Sequence, residues 1–234
     1  MFSDIFSAEA LEEAWNIIRS QFALSTWQTI YVTILSTFFA FVIGLPLGVI
    51  LVTGEEKGIK PLPKGLMQAI NVVINILRSI PFLILMILVF PITRFIVGTT
   101  VGTVATIPPL VIAAFPFVAR LVESSLREVN PNTIEMAQSL GASPFQIVTK
   151  VLIPESVPSL ISNMTIAITT VLGYTAMSGI IGGGGLGKIA INYGYYRYKT
   201  LVMILAVILL ILLVQILQTI GTKSAIKNNK VLKK

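Results

Sequence analysis

The sequence of 234 residues contains no cysteine and no histidine. These absences exclude disulfides, thiolate nucleophiles and imidazole bases, and they remove nearly all zinc chemistry. Charge is also scarce, because only 12% of the residues are charged while 55% are hydrophobic. So few charges cannot cover a water-soluble surface on a chain of this length. We therefore predict an all-α integral membrane protein.

Acidic residues are missing from the long apolar parts of the chain. Five apolar runs are long enough for a bilayer core, which needs roughly 20 helical residues. They are residues 26–53, 65–93, 102–122, 157–181 and 200–220, and we predict one transmembrane helix for each. None of the ten acidic residues falls within a run. This pattern argues against an enzyme with a buried acid pair and against a proton-driven pump.

The positive residues between the runs predict the orientation, because Lys and Arg are retained on the cytoplasmic side. Eleven of the 17 would lie on one side and five on the other, with Arg78 inside a run. The count places the N-terminus outside, and it places the C-terminus and residues 123–156 in the cytoplasm. Topology thus accounts for the net charge of +7. We therefore expect contact with membrane lipid and no nucleic-acid partner.

The two ends of the chain differ from the middle. Residues 1–25 lack the start of a signal peptide and carry Leu11, Trp15 and Ile18 between acidic residues. We predict an amphipathic helix at the outer interface, with Trp15 and Trp27 at headgroup level. The alternative is a frayed tail. Residues 26–222 would then form the membrane domain, and the lysine-rich residues 223–234 would form a cytoplasmic tail.

The polar stretch 123–156 carries an ordered pattern. It contains Glu135-Met136-Ala137, three further residues, Gly141, nine residues, and then Val151-Leu152-Ile153-Pro154. This spacing resembles the E-A-A, three, G, nine, I-x-L-P motif of ABC-importer permeases, with Met136 and Val151 as departures. In that family the loop seats in a groove of a separate ATP-hydrolysing subunit. The resemblance implies a permease that is not an enzyme and has no cofactor of its own, with ATP and Mg bound by the partner. The implied ATPase-coupling residues are Glu135, Met136, Ala137, Ser139, Leu140, Gly141, Ala142, Pro144, Val151 and Pro154.

Local signals in this stretch predict two short helices. Asn130-Pro131 and Ser143-Pro144 each place a capping side chain before a proline suited to the first turn. We expect the first helix to end at Gly141 and the second to run to about Ile153, before Pro154. The alternative to a docking role is that the two helices merely cap the bundle.

Polar and small residues follow one face of the fourth run. They recur at three- or four-residue intervals as Ser159, Asn163, Thr170, Gly173 and Met177, with Ser162, Thr169 and Tyr174 beside them. Such a face either lines a transport route or packs against other helices. We consider Asn163, Thr170, Tyr174 and Met177 candidates for the route, with the flexible Met177 as a constriction.

Arg78 has two interpretations. With Asn71 and Asn75 one and two turns earlier, it could lie deep in the bilayer, face a wet cavity and meet a substrate carboxylate. Alternatively, residues 64–77 lie along the cytoplasmic interface, the span begins near Ser79, and Arg78 reaches the headgroups.

The glycine-rich residues 182–188 satisfy the G-x4-G-K start of a phosphate-binding loop. However, Ile189 stands where the magnesium-binding Ser or Thr is required. The charge count also places the segment outside, away from ATP. We predict instead a turn whose glycines permit close backbone packing.

Further segments resemble the permease subunit of methionine ABC importers. They are Arg78-Ser79-Ile80-Pro81-Phe82, residues 116–123, residues 173–179, and Gly184-Gly185-Leu186-Gly187 followed by Tyr193-Gly194-Tyr195. This resemblance implies a multi-pass plasma-membrane homodimer with two ATP-binding subunits and an extracytoplasmic lipid-anchored binding protein. It implies import of L-methionine, and also of its D-form or related amino acids. The alternatives are a permease for another small polar ligand and a standalone secondary transporter.

Overall fold

The computed structural model describes residues 7–228, so the first six residues and the tail beyond Asn228 lie outside the described residues. Every regular element within 7–228 is helical, which confirms the predicted all-α class. The α-helices, numbered in chain order, are α1 Ala8–Ile17, α2 Ala23–Thr53, α3 Lys64–Ser79, α4 Phe82–Leu88, α5 Phe90–Val97, α6 Ile107–Arg127, α7 Pro131–Ser139, α8 Pro144–Ile147, α9 Ile153–Ser178, α10 Gly185–Ile189 and α11 Thr200–Asn228.

Several of these helices are joined by short turns that are wound more widely or more tightly than an α-helix. The π-helical turns are Ile18–Phe22, Val148–Leu152 and Ala190–Tyr195, and the 3-10 turns are Val104–Thr106 and Gly179–Ile181. As a result α1 and α2 form one helix of 46 residues, Ala8–Thr53. In the same way α8 and α9 belong to one helix of 38 residues, Pro144–Ile181.

Four of the five predicted runs fall in helices that are long and apolar enough to cross a membrane. These helices are Ala8–Thr53, Val104–Arg127, Pro144–Ile181 and Thr200–Asn228. The run 65–93 is different, because α3 and α4 are bent by 109° at a short break. The proline ring of Pro81 disfavours helical backbone at the preceding residue, and Ile80 is extended with ψ 126°. The run 65–93 therefore forms two helices joined at a bend, and α3 ends at Ser79, where the second interpretation of Arg78 begins the span.

The second helix of the polar stretch also differs from its prediction. Ser143 caps α8 as expected, but the helix does not end before Pro154 and continues through α9 to Ser178. The π-helical turn Val148–Leu152 ends two residues before the proline. Such a turn locally rearranges the hydrogen bonds that a proline would otherwise break.

The chain divides into two compact units. The first unit contains the described residues up to Thr37, Phe82–Val111 and Ile168–Leu217. The second unit contains Phe38–Pro81, Ile112–Ala167 and the described residues from Gln218 onward.

The core of the first unit holds the N-terminal helix. Ala14 and Ile17 of α1 are buried with Leu186, Val202 and their neighbours, and Ile18 packs against this cluster. Leu11 and Trp15 are about half exposed, at 51% and 52%. The helix is thus amphipathic, but of the three apolar residues that predicted it, only Ile18 lies on the packed face.

The second unit is packed by small residues on α2. Gly44 and Gly48 face Val118 and Val122 of α6, and a Cβ on either glycine would lie within 3 Å of those valines. Two glycines spaced by four let helix backbones approach closely, and small residues of this kind are enriched where helices pack in lipid. Leu51, Ile74 and Ala119 form the buried cluster next to this contact.

Candidate functional site

We call residues 130–147 the docking hairpin, after the role that the sequence predicts for them, and they contain α7, the turn at Gly141, and α8. Asn130 Oδ1 accepts a 2.9 Å hydrogen bond from the Asn132 amide, so the predicted cap of α7 is confirmed. Gly141 has a φ of +76°, and this left-handed residue ends the helix as the sequence predicted. Ser143 and Gln146 form a reciprocal capping box at the start of α8. The sequence thus predicts both termini of α7 and the start of α8, but not where the second helix ends.

The hairpin presents apolar side chains to its surroundings. None of the residues of α7 is buried in this chain. Leu140 is 83% exposed, Phe145 is 76% exposed and Met136 is 60% exposed. Ile147, by contrast, is buried and anchors the end of the hairpin. A cluster of large apolar residues exposed on a polar stretch marks a surface that a partner covers.

The other predicted coupling residues lie around these three. Glu135 and Ser139 are exposed on α7, and the Ser139 hydroxyl donates a 2.9 Å hydrogen bond to the Glu135 carbonyl. Ala137 and Ala142 are half-buried, and the Ala142 amide donates to the Ala137 carbonyl at 3.1 Å. The last three are Pro144 (exposed), Val151 (half-buried) and Pro154 (exposed). Val151 and Pro154 lie on the continuous helix beyond the hairpin.

A series of charged side chains, each bonded to the next, lies at the base of the hairpin. Glu123 accepts hydrogen bonds from Arg120 and from Arg127 of the same helix, each with a shortest distance of 2.8 Å. Arg127 also makes a two-pronged contact with Glu55, in the loop that follows α2. Bidentate pairs of this kind hold a defined geometry. We call Glu55, Arg120, Glu123 and Arg127 the Glu123 network.

The Glu123 network extends to α3. One guanidinium nitrogen of Arg120 donates to Asn71 Oδ1 at 2.8 Å and to Asn75 Oδ1 at 3.1 Å. Asn71 and Asn75 of α3 therefore both contact Arg120 of α6. Arg78 itself lies in the last turn of α3 with an exposed side chain. Side chains from α3, α6 and the loop after α2 are thereby connected through ion pairs and through hydrogen bonds from a charged guanidinium.

A cavity of about 380 Å³ adjoins this network. Residues from the loop after α2 line one part of it, and residues of α7 line another. The polar lining residues are Glu55, Lys57, Arg127, Glu135 and Gln138. The base of the hairpin is therefore a pocket with charges of both signs and not a sealed apolar contact.

The polar face of α9 divides into two parts. In the second unit, Asn163 donates to Ser125 Oγ at 2.7 Å and to the Leu121 carbonyl at 3.1 Å. Ser159 donates to the same Ser125 hydroxyl at 3.2 Å. This part of the face packs against α6, as the helix-packing alternative requires.

The part of α9 in the first unit is more open. The ring of Tyr174 stacks on Phe82, with centroids 4.3 Å apart and planes 6° apart. Met177 is 47% exposed, Gly173 is exposed, and Thr170 is half-buried. Of the candidate path residues, Met177 and Tyr174 thus have accessible side chains, while Asn163 is engaged with another helix.

The glycine-rich residues 182–188 form a packed turn. The Gly185 amide donates to Gln28 Oε1 and the Leu186 amide donates to Thr29 Oγ1, each at 2.9 Å. A Cβ on Gly187 would lie closer than 3.0 Å to the backbone of Ala176. Amides that a phosphate would need are already bonded, so the predicted role of close backbone packing is confirmed.

Two functional features were not found from the sequence. Phe145 follows Ser143-Pro144 in a polar connecting stretch, and such stretches usually lie on the surface, where their residues can meet a partner. Arg120, Glu123 and Arg127 recur at helical spacings of three and four, which is the spacing of ion pairs on one face. A count of positive residues for the orientation does not reveal that spacing.

Comparison with known proteins finds relatives over most of the chain. Residues 44–225 match the family of binding-protein-dependent transport system inner membrane components. The "Probable D-methionine transport system permease protein MetI" of Vibrio cholerae is 49% identical over 209 residues, which are 88% of this chain and 92% of that protein. The Escherichia coli D-methionine transport system permease protein MetI is 44% identical over 165 residues, which are 70% of this chain and 73% of that protein.

Solved structures show the same similarity. A chain in inward-facing conformations of the MetNI methionine ABC transporter superposes with a TM-score of 0.87 at 42% identity. The match covers 92% of this chain and 97% of that one. A chain of an amino acid ABC transporter shares the fold with a TM-score of 0.72 at 16% identity, covering 88% and 92% of the two chains.

Proposed function

This chain belongs to the family of binding-protein-dependent transport system inner membrane components, and from that premise we propose that it is the permease subunit of an ATP-driven importer of methionine. It is a membrane transport protein and not an enzyme, because ATP hydrolysis belongs to a separate subunit. The cargo follows from the relatives, which are named for D-methionine transport. We include L-methionine and related amino acids as cargo, and another small polar ligand is the alternative.

The exposed apolar residues of the docking hairpin are the main support for this proposal. Met136, Leu140 and Phe145 lie on a hairpin with capped helices, and none of residues 7–228 covers them. In water they would be an aggregation hazard, whereas a partner groove would bury them. We assign this groove to the ATP-binding subunit, so that two copies of this chain engage two ATP-binding subunits. Residues 26–222 then constitute the permease domain.

We propose five membrane spans with the N-terminus outside. The bent pair of α3 and α4 supplies the span that the four long helices do not. The Lys and Arg count then places the docking hairpin and the basic C-terminal residues in the cytoplasm. An extracytoplasmic lipid-anchored binding protein would deliver the cargo to the opposite face.

Coupling of ATP hydrolysis to transport begins when ATP brings the two ATP-binding subunits together. Closure draws the two docking hairpins together, and the continuous helix Pro144–Ile181 carries the displacement into the membrane. The Glu123 network connects the same movement to α3 through Asn71 and Asn75. The helices then open outward, and hydrolysis resets them.

We place the cargo route along Met177, Tyr174 and Thr170, and we keep Asn163 and Arg78 as further candidates for it. Met177 is half exposed, so a flexible thioether is available as a constriction. Tyr174 is held by Phe82, which follows the break at Pro81. A movement of α4 would therefore shift a ring beside the route. Arg78 is exposed near that break and supplies a positive charge for a carboxylate.

Reconstituted transport tests this proposal. The permease, the ATP-binding subunit and the binding protein are placed in proteoliposomes, and uptake of labelled L- and D-methionine is measured with and without ATP. We expect uptake that requires ATP and the binding protein. Equal uptake without ATP, driven by an ion gradient, would identify a secondary transporter instead. ATP-driven uptake of a different ligand but not of methionine would overturn the cargo assignment alone.

A further inference from the structure

A second cavity of about 380 Å³ lies in the first unit, and it shares no lining residue with the docking hairpin or the proposed route. Its polar lining comes from the start of the long N-terminal helix and from the segment that follows the glycine-rich turn. These polar residues are Gln21, Ser25, Gln28, Lys188, Asn192, Tyr193 and Arg197. Two of the described lining residues are positively charged and none is acidic. The charge of the cavity favours an anion.

One of these cations is held in place. The Arg197 guanidinium lies 4.9 Å from the centre of the Tyr193 ring. The Tyr193 hydroxyl in turn accepts a 2.6 Å hydrogen bond from Gln21 Nε2. A cation–π contact restrains a guanidinium but leaves its N–H donors available. By contrast, the nearby Lys199 is paired with Glu13 and is not available to a ligand.

The surroundings of the cavity indicate its level in the membrane. Trp27 is 61% exposed next to Gln28, and Tyr195, Tyr196 and Tyr198 are exposed beside Arg197. Exposed Trp and Tyr residues concentrate where the headgroups lie. Leu24 is also exposed at the rim, at 61%, and offers apolar surface to acyl chains.

We propose that this cavity binds the phosphodiester headgroup of an anionic phospholipid in the outer leaflet. Lys188 and Arg197 would contact the phosphate, and the Asn192 amide would donate a hydrogen bond to it. The aromatic and aliphatic rim favours a lipid over an acidic peptide, because acyl chains beside a headgroup would cover apolar surface at that level. The inference rests on the proposed orientation, with the N-terminus outside.

Native mass spectrometry of the intact complex with its ATP-binding subunits tests the inference. The complex is titrated with phosphatidylglycerol and separately with phosphatidylcholine, and glycerol 3-phosphate is added to distinguish a lipid from a free phosphate. Each cation near an anionic lipid contributes enough to lower occupancy about fivefold when it is removed. We therefore expect Arg197→Gln and Lys188→Gln each to reduce phosphatidylglycerol binding by about that factor. Arg94→Gln is the matched control, because Arg94 is exposed on the same proposed side but does not line the cavity.

Specific results would overturn the inference. They are unchanged phosphatidylglycerol binding in both cavity variants, equal loss in the Arg94→Gln control, or binding of glycerol 3-phosphate as tight as that of the lipid. Variants that still bind the lipid, but whose methionine uptake is no longer stimulated by the binding protein, would show that the cavity binds a protein instead. Methionine uptake by the same complexes is measured in parallel. Intact uptake with no lipid binding refutes only this inference, and absent uptake in the unmodified complex refutes the proposed function.

Discussion

Gly141 lies in a left-handed turn at the centre of the docking hairpin, and its surroundings are open. A Cβ added there would meet no atom within 4 Å, so any effect of a side chain comes from backbone strain. For an ordinary L-residue that strain is about 1–2 kcal/mol, whereas Asn adopts this conformation more readily. The residue therefore offers a test of the hairpin's shape that does not alter its contacts.

We expect Gly141→Val to weaken association with the ATP-binding subunit by about tenfold, because that is the equivalent of the strain. Gly141→Asn should retain most of the association. Gly98→Val is the control, since Gly98 has a φ of +82° and equally open surroundings in another turn. Association is measured by titrating labelled ATP-binding subunit onto immobilised permease. Equal association of the valine and glycine proteins at residue 141 would contradict a docking role for this turn.

Leu140 and Phe145 are the most exposed apolar residues of the hairpin. If a partner buries them, truncation to alanine should cost about 1–3 kcal/mol each, or about fivefold to 150-fold in affinity. The fold of the permease should not change, because neither side chain is buried in this chain.

The same titration measures both variants. Phe95→Ala serves as the control, because Phe95 is 91% exposed but lies on α5, outside the hairpin. A loss in Phe95→Ala equal to that in Phe145→Ala would mean that the effect is general and not a property of the hairpin.

For single residues, the sequence predicts roles that depend on local backbone. Asn130, Gly141 and Ser143 were identified from their neighbours alone, and the structure places each as expected. The roles of Arg120 and Asn71 depend on residues 49 positions apart in the chain. No local pattern encodes that contact, so it could not be predicted.

Among the helices, the contact of α2 with α6 depends on two glycines. A Cβ on Gly48 would lie 2.6 Å from the Val122 side chain and 2.7 Å from the Ala119 carbonyl oxygen. Since backbone is involved, the helices must move apart. Overpacking of this kind costs about 1–3 kcal/mol.

We expect Gly48→Val to lower the unfolding midpoint of the purified permease by on the order of 5 °C. Gly65→Ala should show no loss, because a Cβ at that position would meet no atom within 4 Å and alanine favours a helix. Thermal unfolding is followed by far-ultraviolet circular dichroism in detergent. An unchanged midpoint for Gly48→Val would contradict close packing of these helices.

Glu123 joins two arginines, and its side chain is only 13% exposed. Glu123→Gln removes the charge from both ion pairs but leaves the exposed face of the hairpin intact. We expect the ATP-binding subunit still to bind and hydrolyse ATP, while methionine uptake per ATP falls about fivefold, the equivalent of about 1 kcal/mol of lost coupling.

Coupled ATPase and uptake assays in proteoliposomes measure this ratio. Glu128→Gln is the matched control, because Glu128 is exposed near the end of the same stretch. A normal ratio in Glu123→Gln would show that coupling does not pass through the Glu123 network.

Helix prediction succeeded where composition and caps decide the outcome and failed where geometry is needed. Four apolar runs correspond to long helices. The bend after Ser79 follows from Pro81, yet its angle of 109° does not follow from any residue type. Similarly, Pro154 is a helix-breaking signal that the preceding π-helical turn accommodates.

In the proposed function, the molecule as a whole is the membrane-spanning part of a transporter, and a separate subunit hydrolyses the ATP that drives it. Its membrane helices follow from composition, and its family follows from a match over residues 44–225. The cargo could not be derived from composition or spacing, because no residue type in the proposed route is specific for a thioether. Resemblance over whole segments carried that assignment.

Docking of the hairpin on a cytoplasmic ATP-binding subunit can be tested through the absence of cysteine from this chain. A single Leu140→Cys substitution gives one thiol, which is probed in right-side-out and inside-out vesicles and then cross-linked in the assembled complex. We predict labelling by a membrane-impermeant reagent only from the cytoplasmic side, and a cross-link to the ATP-binding subunit. Labelling from the exterior, or a thiol that stays free of any neighbouring chain in the complex, would contradict this docking.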